Sequence, residues 1–380
     1  MNTKNLFLAI ISLVFLWSCG KEESPVEVKT NSLADDLDSF VTIWKTVNKN
    51  DMISIGTNDE VEQIFDYTID WGDGTIENLK NGNPAHTYKD VGVYTVAIKG
   101  KFPSIKIDRF LTNIYYASYL ISLEQWGANQ WESLESAFEN CKNLEYNAMD
   151  APGLTKITTI RNMFKRAGKF SGANLNDWNV SNITDMESVF HGTRSDKLTV
   201  DKWDVKNVVN MKGLFSYSSF NGDISEWDVG KVESMNSMFN GADLFNQNLN
   251  NWNVSSVKDM TLMFSDAEAF DKDISEWNVG NVMYMGGMFQ FSESFNRDLA
   301  DWNINNVINM HHMLEGSGMS PENYGNTLVG WLNTGVQHDI TLGASGLSYC
   351  INDEVEFARG ALESVYGWYL WDNGGVDCKL

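Results

Sequence analysis

Apolar positions recur along the second half of this chain with a fixed beat. In WDVGKVESMNSMFNGADLFNQNLNNW, which starts at Trp227, they fall at Trp227, Val229, Val232, Met235, Met238 and Phe239, with polar residues between. The tryptophan returns at Trp178, Trp203, Trp227, Trp252, Trp277 and Trp302, at intervals of 24 or 25 residues. Eight residues after each comes Met186, Met211, Met235, Met260, Met285 or Met310, and twelve after comes Phe190, Phe215, Phe239, Phe264, Phe289 or Leu314. A unit this short has no second face of its own against which to bury such side chains, so consecutive units must seal one another as stacked turns. Val232, Met235, Met238 and Phe239 have the spacing of one face of a short helix. Ile224, Trp227 and Val229, spaced LxxLxL, predict a strand before it, with Asn, Gly, Asp and Ser as turn residues. Weaker copies at Leu154, Ile157, Ile160, Met163 and Phe164, and at Trp126, Trp131, Leu134 and Phe138, extend the array to about eight turns over residues 126–318.

The rhythm differs on either side. FDYTIDWGDGT and GVYTVAIKG alternate apolar and polar residues, which predicts strands joined by a Gly- and Asn-rich turn. NYGNTLVGWLN predicts a helix with Leu328, Trp331 and Leu332 on its inner face, a lid for the last turn. The expected segments are 1–18, a lipoprotein signal peptide; 19–36, a flexible tether; 37–103, a small β-sandwich; 104–319, the repeats; and 320–380, a cap. The expected fold class is α+β, a leucine-rich-repeat-like solenoid of about eight turns of 24–26 residues behind a small all-β immunoglobulin-like sandwich.

At the N-terminus Lys4 precedes an apolar run from Leu6 to Trp17, too short to span a bilayer. It reads as a signal peptide, and LWSC resembles a lipobox, with cleavage before Cys19 and lipidation of that cysteine. An uncleaved anchor and an ordinary secretory signal are the other readings. Lys21, Glu22 and Glu23 resemble the signal by which some Gram-negative lineages move lipoproteins to the outside of the outer membrane. A net charge of −23 and a pI near 4.5 argue against a nucleic-acid partner. They argue equally against docking on anionic lipid, which leaves the lipid anchor as the membrane contact. Cys350 and Cys378, both in the cap, are a candidate disulfide outside the inner membrane, whereas Cys141 reads as a small buried filler.

Two resemblances sharpen the picture. Trp71, Gly72, Asp73, Gly74 and Thr75, followed by His86, Thr87 and Tyr88 and then Gly92, Tyr94, Thr95 and Val96, resemble the PKD domain. There the WGDGT residues form a turn, which makes Asp73 and His86 scaffold rather than catalysts or metal ligands, with a calcium ion at Asp70 or Asp73 as the alternative. Repeats of the form MFxxAxxFNxDIxxWxVxxVxxM, ahead of NYxxTLxGW and a late YC, resemble the BspA-like leucine-rich-repeat surface lipoproteins of bacteria, whose members often carry a PKD-like module before the repeats. The copy at residue 152 lacks the Trp and the copy at 203 lacks the FNxDI portion. The resemblance implies a non-catalytic, lipid-anchored adhesion or binding protein of the outer membrane that faces the cell exterior. It names no ligand.

The residues themselves offer a candidate surface. If Trp227 and Val229 point inward, Glu226 and Asp228 point outward from the same strand. Their equivalents are Asp177 and Asn179, Lys202 and Asp204, Asn251 and Asn253, Glu276 and Asn278, and Asp301 and Asn303. Stacked, they would form a ribbon of carboxylates and amides suited to a basic extracellular protein, a glycan or a divalent cation; the plainer reading is a solvated strand edge. Asn221, Asn246, Asp271 and Asn296 are expected to satisfy turn backbone groups, and the tryptophans to be core rather than a sugar platform. The five histidines, His86, His191, His311, His312 and His338, show no HExxH spacing and no zinc-like cluster with cysteine. No carboxylate pair stands out as a glycosidase dyad, so neither enzyme activity nor a metal or cofactor is expected. The alternative function is a glycan-binding surface lipoprotein for polysaccharide capture, with exposed aromatics of the β-domain or the cap as its platform.

Overall fold

The computed structural model describes residues 32–58, 62–107, 115–195 and 197–378. The signal peptide, Cys19 and the tether up to residue 31 lie outside the described residues, and no described helix is long and apolar enough to cross a membrane. Residues 32–380 cluster as one compact unit.

In the N-terminal part, alternation of apolar and polar residues builds strands β1 (Phe40–Lys45), β2 (Asp51–Ser54), β3 (Asp66–Asp70), β4 (Ile76–Leu79), β5 (Ala85–Tyr88) and β6 (Val93–Lys101). β2 and β5 form a separate antiparallel pair. After helix α1 (Tyr115–Tyr119) come β7 (Leu120–Gln125) and β8 (Glu145–Tyr146), and the main sheet runs β4-β3-β6-β1-β7-β8. The sheet therefore continues past residue 103: β1 is flanked by β6 on one side and by β7 on the other, both antiparallel. Phe40 packs against Trp126 and Trp131 with ring centroids 5.8 and 5.1 Å apart, so the sheet and the first repeats share one apolar interior.

The expected α+β leucine-rich-repeat solenoid is not what the chain forms. Among the described residues about 10% are helical, the ordered elements are mostly strands, and no leucine-rich-repeat solenoid is recognisable. An N-terminal sheet domain is present, and β7 and β8 extend its main sheet beyond the expected boundary at 103. Within the repeats, the segment expected to be a helix is a run of turns, and the segment around each Trp expected to be a strand is not one. The pairing lies seven residues after the Trp instead, as single parallel bridges running Thr159, Asp185, Asn210, Ser234, Asp259, Tyr284 and Asn309.

The amides explain this path. In one copy, Met260, Leu262, Phe264 and Asp266 donate their N–H to Tyr284, Gly286, Met288 and Gln290 of the next copy, at 2.8–2.9 Å. The amides between them close tight turns on the same copy, as Met263 to Met260 (3.1 Å) and Ala267 to Phe264 (3.1 Å) do. Every second N–H thus leaves the copy, whereas an α-helix keeps all of them. The geometry requires left-handed residues four apart, such as Ser237 and Gly241 (φ 55° and 64°), which a right-handed helix excludes.

At these positions a bulky residue in one copy lies over glycine in the next. A Cβ at Gly241 would sit 2.6 Å from the Tyr217 ring. Gly241→Ala is accordingly expected to cost about 1–2 kcal/mol from the left-handed backbone, plus the displacement of Tyr217. Urea denaturation checks it, and Tyr217→Gly should recover only the second part.

The side chains inside form columns. Phe138, Phe164, Phe190, Phe215, Phe239, Phe264 and Phe289 stack in sequence at 5.5–6.1 Å with nearly parallel planes. Each Trp is buried, and its indole N–H reaches a carbonyl of the previous copy: Trp203 to Leu175, Trp227 to Val200, Trp252 to Ile224, Trp277 to Leu249 and Trp302 to Ile274, at 2.8–3.1 Å. Where the copy at 152 lacks its Trp, Trp126 and Trp178 meet directly (5.6 Å), and both indoles donate to the Tyr146 hydroxyl (3.0 and 3.2 Å). Burial, only partly offset by these donors, pushes the Tyr146 hydroxyl up to about 12.

The cap continues the same logic. Helix α2 (Pro321–Thr334) starts with Ser320 as N-cap and proline at its first position. Leu328 and Trp331 are buried, Leu332 partly so, and the Trp331 indole donates to Leu299 (2.9 Å) as the repeat tryptophans do. Strands β9 (Thr341–Gly343) and β10 (Tyr349–Cys350), helix α3 (Asp353–Ser364), and strands β11 (Tyr369–Trp371) and β12 (Gly375–Val376) complete it. Met310 bridges to Leu342, and β9 pairs with β11 in parallel, so the repeat ladder ends on β11. A disulfide joins Cys350 to Cys378.

Candidate binding surface

All twelve ribbon residues are solvent-exposed. They sit on turns and irregular backbone rather than on a strand, and their two columns behave differently. In the column after the Trp, each side chain holds its own turn: Asn179 accepts from the amide of Ser181, Asp204 from Lys206, Asp228 from Gly230, Asn253 from Ser255, Asn278 from Gly280 and Asn303 from Asn305, at 3.1–3.4 Å. These are Asx turns, in which a short side chain replaces a backbone acceptor. Lys206 also bonds the Asp204 carboxylate (2.8 Å), which with that amide holds Asp204 below the usual carboxylate range. The column before the Trp, Asp177, Glu226, Asn251, Glu276 and Asp301, projects into solvent without such a task. A second ladder links copies elsewhere: Asn221, Asn246, Asp271 and Asn296 each accept the amide of the equivalent residue in the following element, at 2.8–3.2 Å.

Sequence reasoning missed a more continuous surface. Six residues after each Trp, Val209, Glu233, Lys258, Met283 and Ile308 pass the backbone ladder from copy to copy at 2.8–2.9 Å. Their side chains therefore line up outside at roughly the 5 Å spacing of paired strands. Beside them a groove of about 710 Å³ is bordered by Ser256, Asn281, Asn306 and Gln337. Its polar wall is preoccupied, because Ser256, Asn281 and Asn306 donate to carbonyls of the preceding copy. What the groove offers a partner is apolar at one end, through Met283 and the 55%-exposed Ile308, and charged at the other, where Lys258 meets Glu233 at 2.7 Å. Tyr284 stands exposed beside Met283. The signal was in the sequence as a column of non-matching residues, but assigning that segment to a helix hid it.

Two further places carry reactive side chains. At the end of the ladder, the half-exposed Trp371 lies edge-on to His311 and His312 (6.5 and 6.2 Å), and His312 pairs with Glu315 at 2.5 Å. In the β2–β5 pair, His86 Nε2 bonds Asp73 at 2.8 Å while its ring stacks on the buried Trp71 at 5.2 Å. Asp73 also accepts the Thr75 amide (3.0 Å), which places it in the turn of WGDGT. Partial burial tends to raise the Asp73 carboxyl, but bonds from His86 and Thr75 outweigh it and hold the group below its ordinary value. A depressed carboxylate stabilises the fold above its unfolded pKa of about 3.9 and loses that contribution as pH falls through the folded value. The acid limb of a stability–pH curve should therefore be shallower in Asp73→Asn than in the wild type, with lower stability at neutral pH. Among the described residues, no group of three or more His, Cys, Asp or Glu is placed to hold a metal ion.

A protein-family model described as "Mycoplasma protein of unknown function, DUF285" matches the chain twice, over residues 132–243 and 216–326. Together the two matches span just over half of the chain and fall on the repeats. No curated protein and no solved structure matches.

Proposed function

The chain belongs to the DUF285 family, whose description carries no activity with it, and from its own surface we propose a non-catalytic binding protein, anchored outside the cell through Cys19, that takes hold of an extended segment of an extracellular protein. The observation that supports this reading is the groove beside Glu233, Lys258, Met283 and Ile308. Its floor is fixed by backbone ladder bonds, so the side chains are presented without a cost of ordering the scaffold. A groove that is charged at one end and apolar at the other suits a peptide strand better than a uniform sugar chain. The acidic ribbon is the weaker candidate, because half of its side chains already hold turns.

A second reading, glycan capture, is favoured by one feature, the exposed Trp371 with His311 and His312 at its edges. A single experiment separates the two. The fragment from residue 32 onward is applied to arrays of glycans and of extracellular matrix proteins at low and at high salt. The groove reading expects protein binding that largely persists at high salt, because apolar burial is not screened. Glycan binding alone, removed by Trp371→Ala, would replace it with the second reading.

A further inference from the structure

On the face of the main sheet where β1, β7 and β8 run side by side, Ile43, Ser122 and Glu145 lie in register. Over them opens a cavity of about 670 Å³, walled by the loop after β1, the end of α1 and Lys169 from the repeats. That volume is in the range of small-molecule sites. Two ammonium groups, Lys45 and Lys169, and two carboxylates, Glu124 and Glu145, contribute to the lining. Among the described residues, none of these four makes an ion pair.

Opposite charges within reach of each other elsewhere on the protein do close, as in Glu233–Lys258 (2.7 Å), Arg161–Glu187 (2.6 Å) and Arg297–Asp271 (2.8 Å). Here no such pair closes, although all four groups line one cavity. Glu124 is held in place: Asn147 donates to both Glu124 (3.0 Å) and the Ser122 hydroxyl (2.9 Å), and that hydroxyl bonds Glu124 in turn. A ligand carrying a single charge would leave one pair of protein charges uncompensated. A ligand carrying both compensates all four. We propose that this cavity binds a zwitterion of the α-amino-acid type, a free amino acid or a dipeptide, with its carboxylate toward Lys45 and Lys169 and its ammonium toward Glu124 and Glu145.

The site is independent of the groove and is tested separately. The fragment from residue 32 onward is titrated calorimetrically with a panel of free amino acids and glycyl dipeptides at millimolar concentration. The best binder is then repeated with its amine acetylated and with its carboxylate amidated. The proposal expects binding by at least one member, and a loss of about tenfold or more when either end is blocked, since each block removes one charged contact. It also expects loss in Lys45→Gln/Lys169→Gln and in Glu145→Gln, with melting temperatures unchanged because these side chains are exposed. No binding across the panel, or binding indifferent to blocking either end, would overturn it.

Discussion

Trp252→Ala is expected to lower stability by about 3–5 kcal/mol, the usual range for removing a fully enclosed tryptophan. Trp252 lies against Phe239 (6.5 Å) with its indole N–H on the Ile224 carbonyl (3.0 Å) of the preceding copy. The loss has two parts that Trp252→Phe separates. Phenylalanine keeps most of the apolar volume but cannot donate, and the Ile224 carbonyl retains the amide of Trp227 (3.1 Å). That variant should cost about 1 kcal/mol for the lost bond, plus a smaller packing term. Urea denaturation followed by fluorescence distinguishes them. Because this copy is held chiefly by the copies on either side of it, Trp252→Ala should also broaden the transition by uncoupling them. Equal stability of wild type and Trp252→Ala would mean that the column is not the interior described.

The second large effect is expected in the cap. The Asp372 side chain is 1% exposed and accepts from Tyr324 Oη (2.9 Å), Arg359 Nη2 (3.2 Å) and the Gly374 amide (3.0 Å). Burial and the charge of Asp372 push the Tyr324 hydroxyl well above its ordinary value, so it is a donor at any working pH. Asp372→Ala would leave that hydroxyl orphaned and Arg359 with Glu363 (3.0 Å) and the Tyr349 ring (5.6 Å). Removing one partner of a buried, hydrogen-bonded pair typically costs about 3–5 kcal/mol. Glu363→Ala, which removes only the exposed partner, should cost less than about 1 kcal/mol. Thermal unfolding of the two variants checks the contrast, and similar melting temperatures would contradict it.

The interior was legible from the period alone. Trp227, Val229, Val232, Met235, Met238 and Phe239 are all buried, because a repeated apolar set has nowhere else to go. The backbone path was not legible in the same way. Spacings of three, three and one fit a helix face, but they fit a chain of tight turns equally well, since both bring every third or fourth residue to one side. A contrary signal was present: glycine stands inside the supposed helix at Gly213 and Gly287, where a helix interior would disfavour it. Those residues are left-handed, and with the alternating amides they convert the segment into a ladder.

The site suffered from the same error. Placing a strand at Trp227 turned Asp228 and its equivalents into a free edge, whereas their carboxylates and amides close the turn that follows. The free row lies at Val209, Glu233, Lys258, Met283 and Ile308, whose dissimilar side chains no repeat consensus would have marked. Lys45, Lys169, Glu124 and Glu145 come from segments far apart in the chain and meet only because β7 joins the N-terminal sheet.

The most direct test of the groove as the recognition surface compares two double variants against whichever matrix protein the wild-type fragment binds. Met283→Asp/Ile308→Asp places charge in the apolar end of the groove, while Glu226→Ala/Glu276→Ala strips the ribbon and leaves the groove intact. The predicted result is an affinity loss of about tenfold or more in the first, with the second within about twofold of wild type. Loss in the second with binding preserved in the first would contradict the account and return recognition to the acidic ribbon.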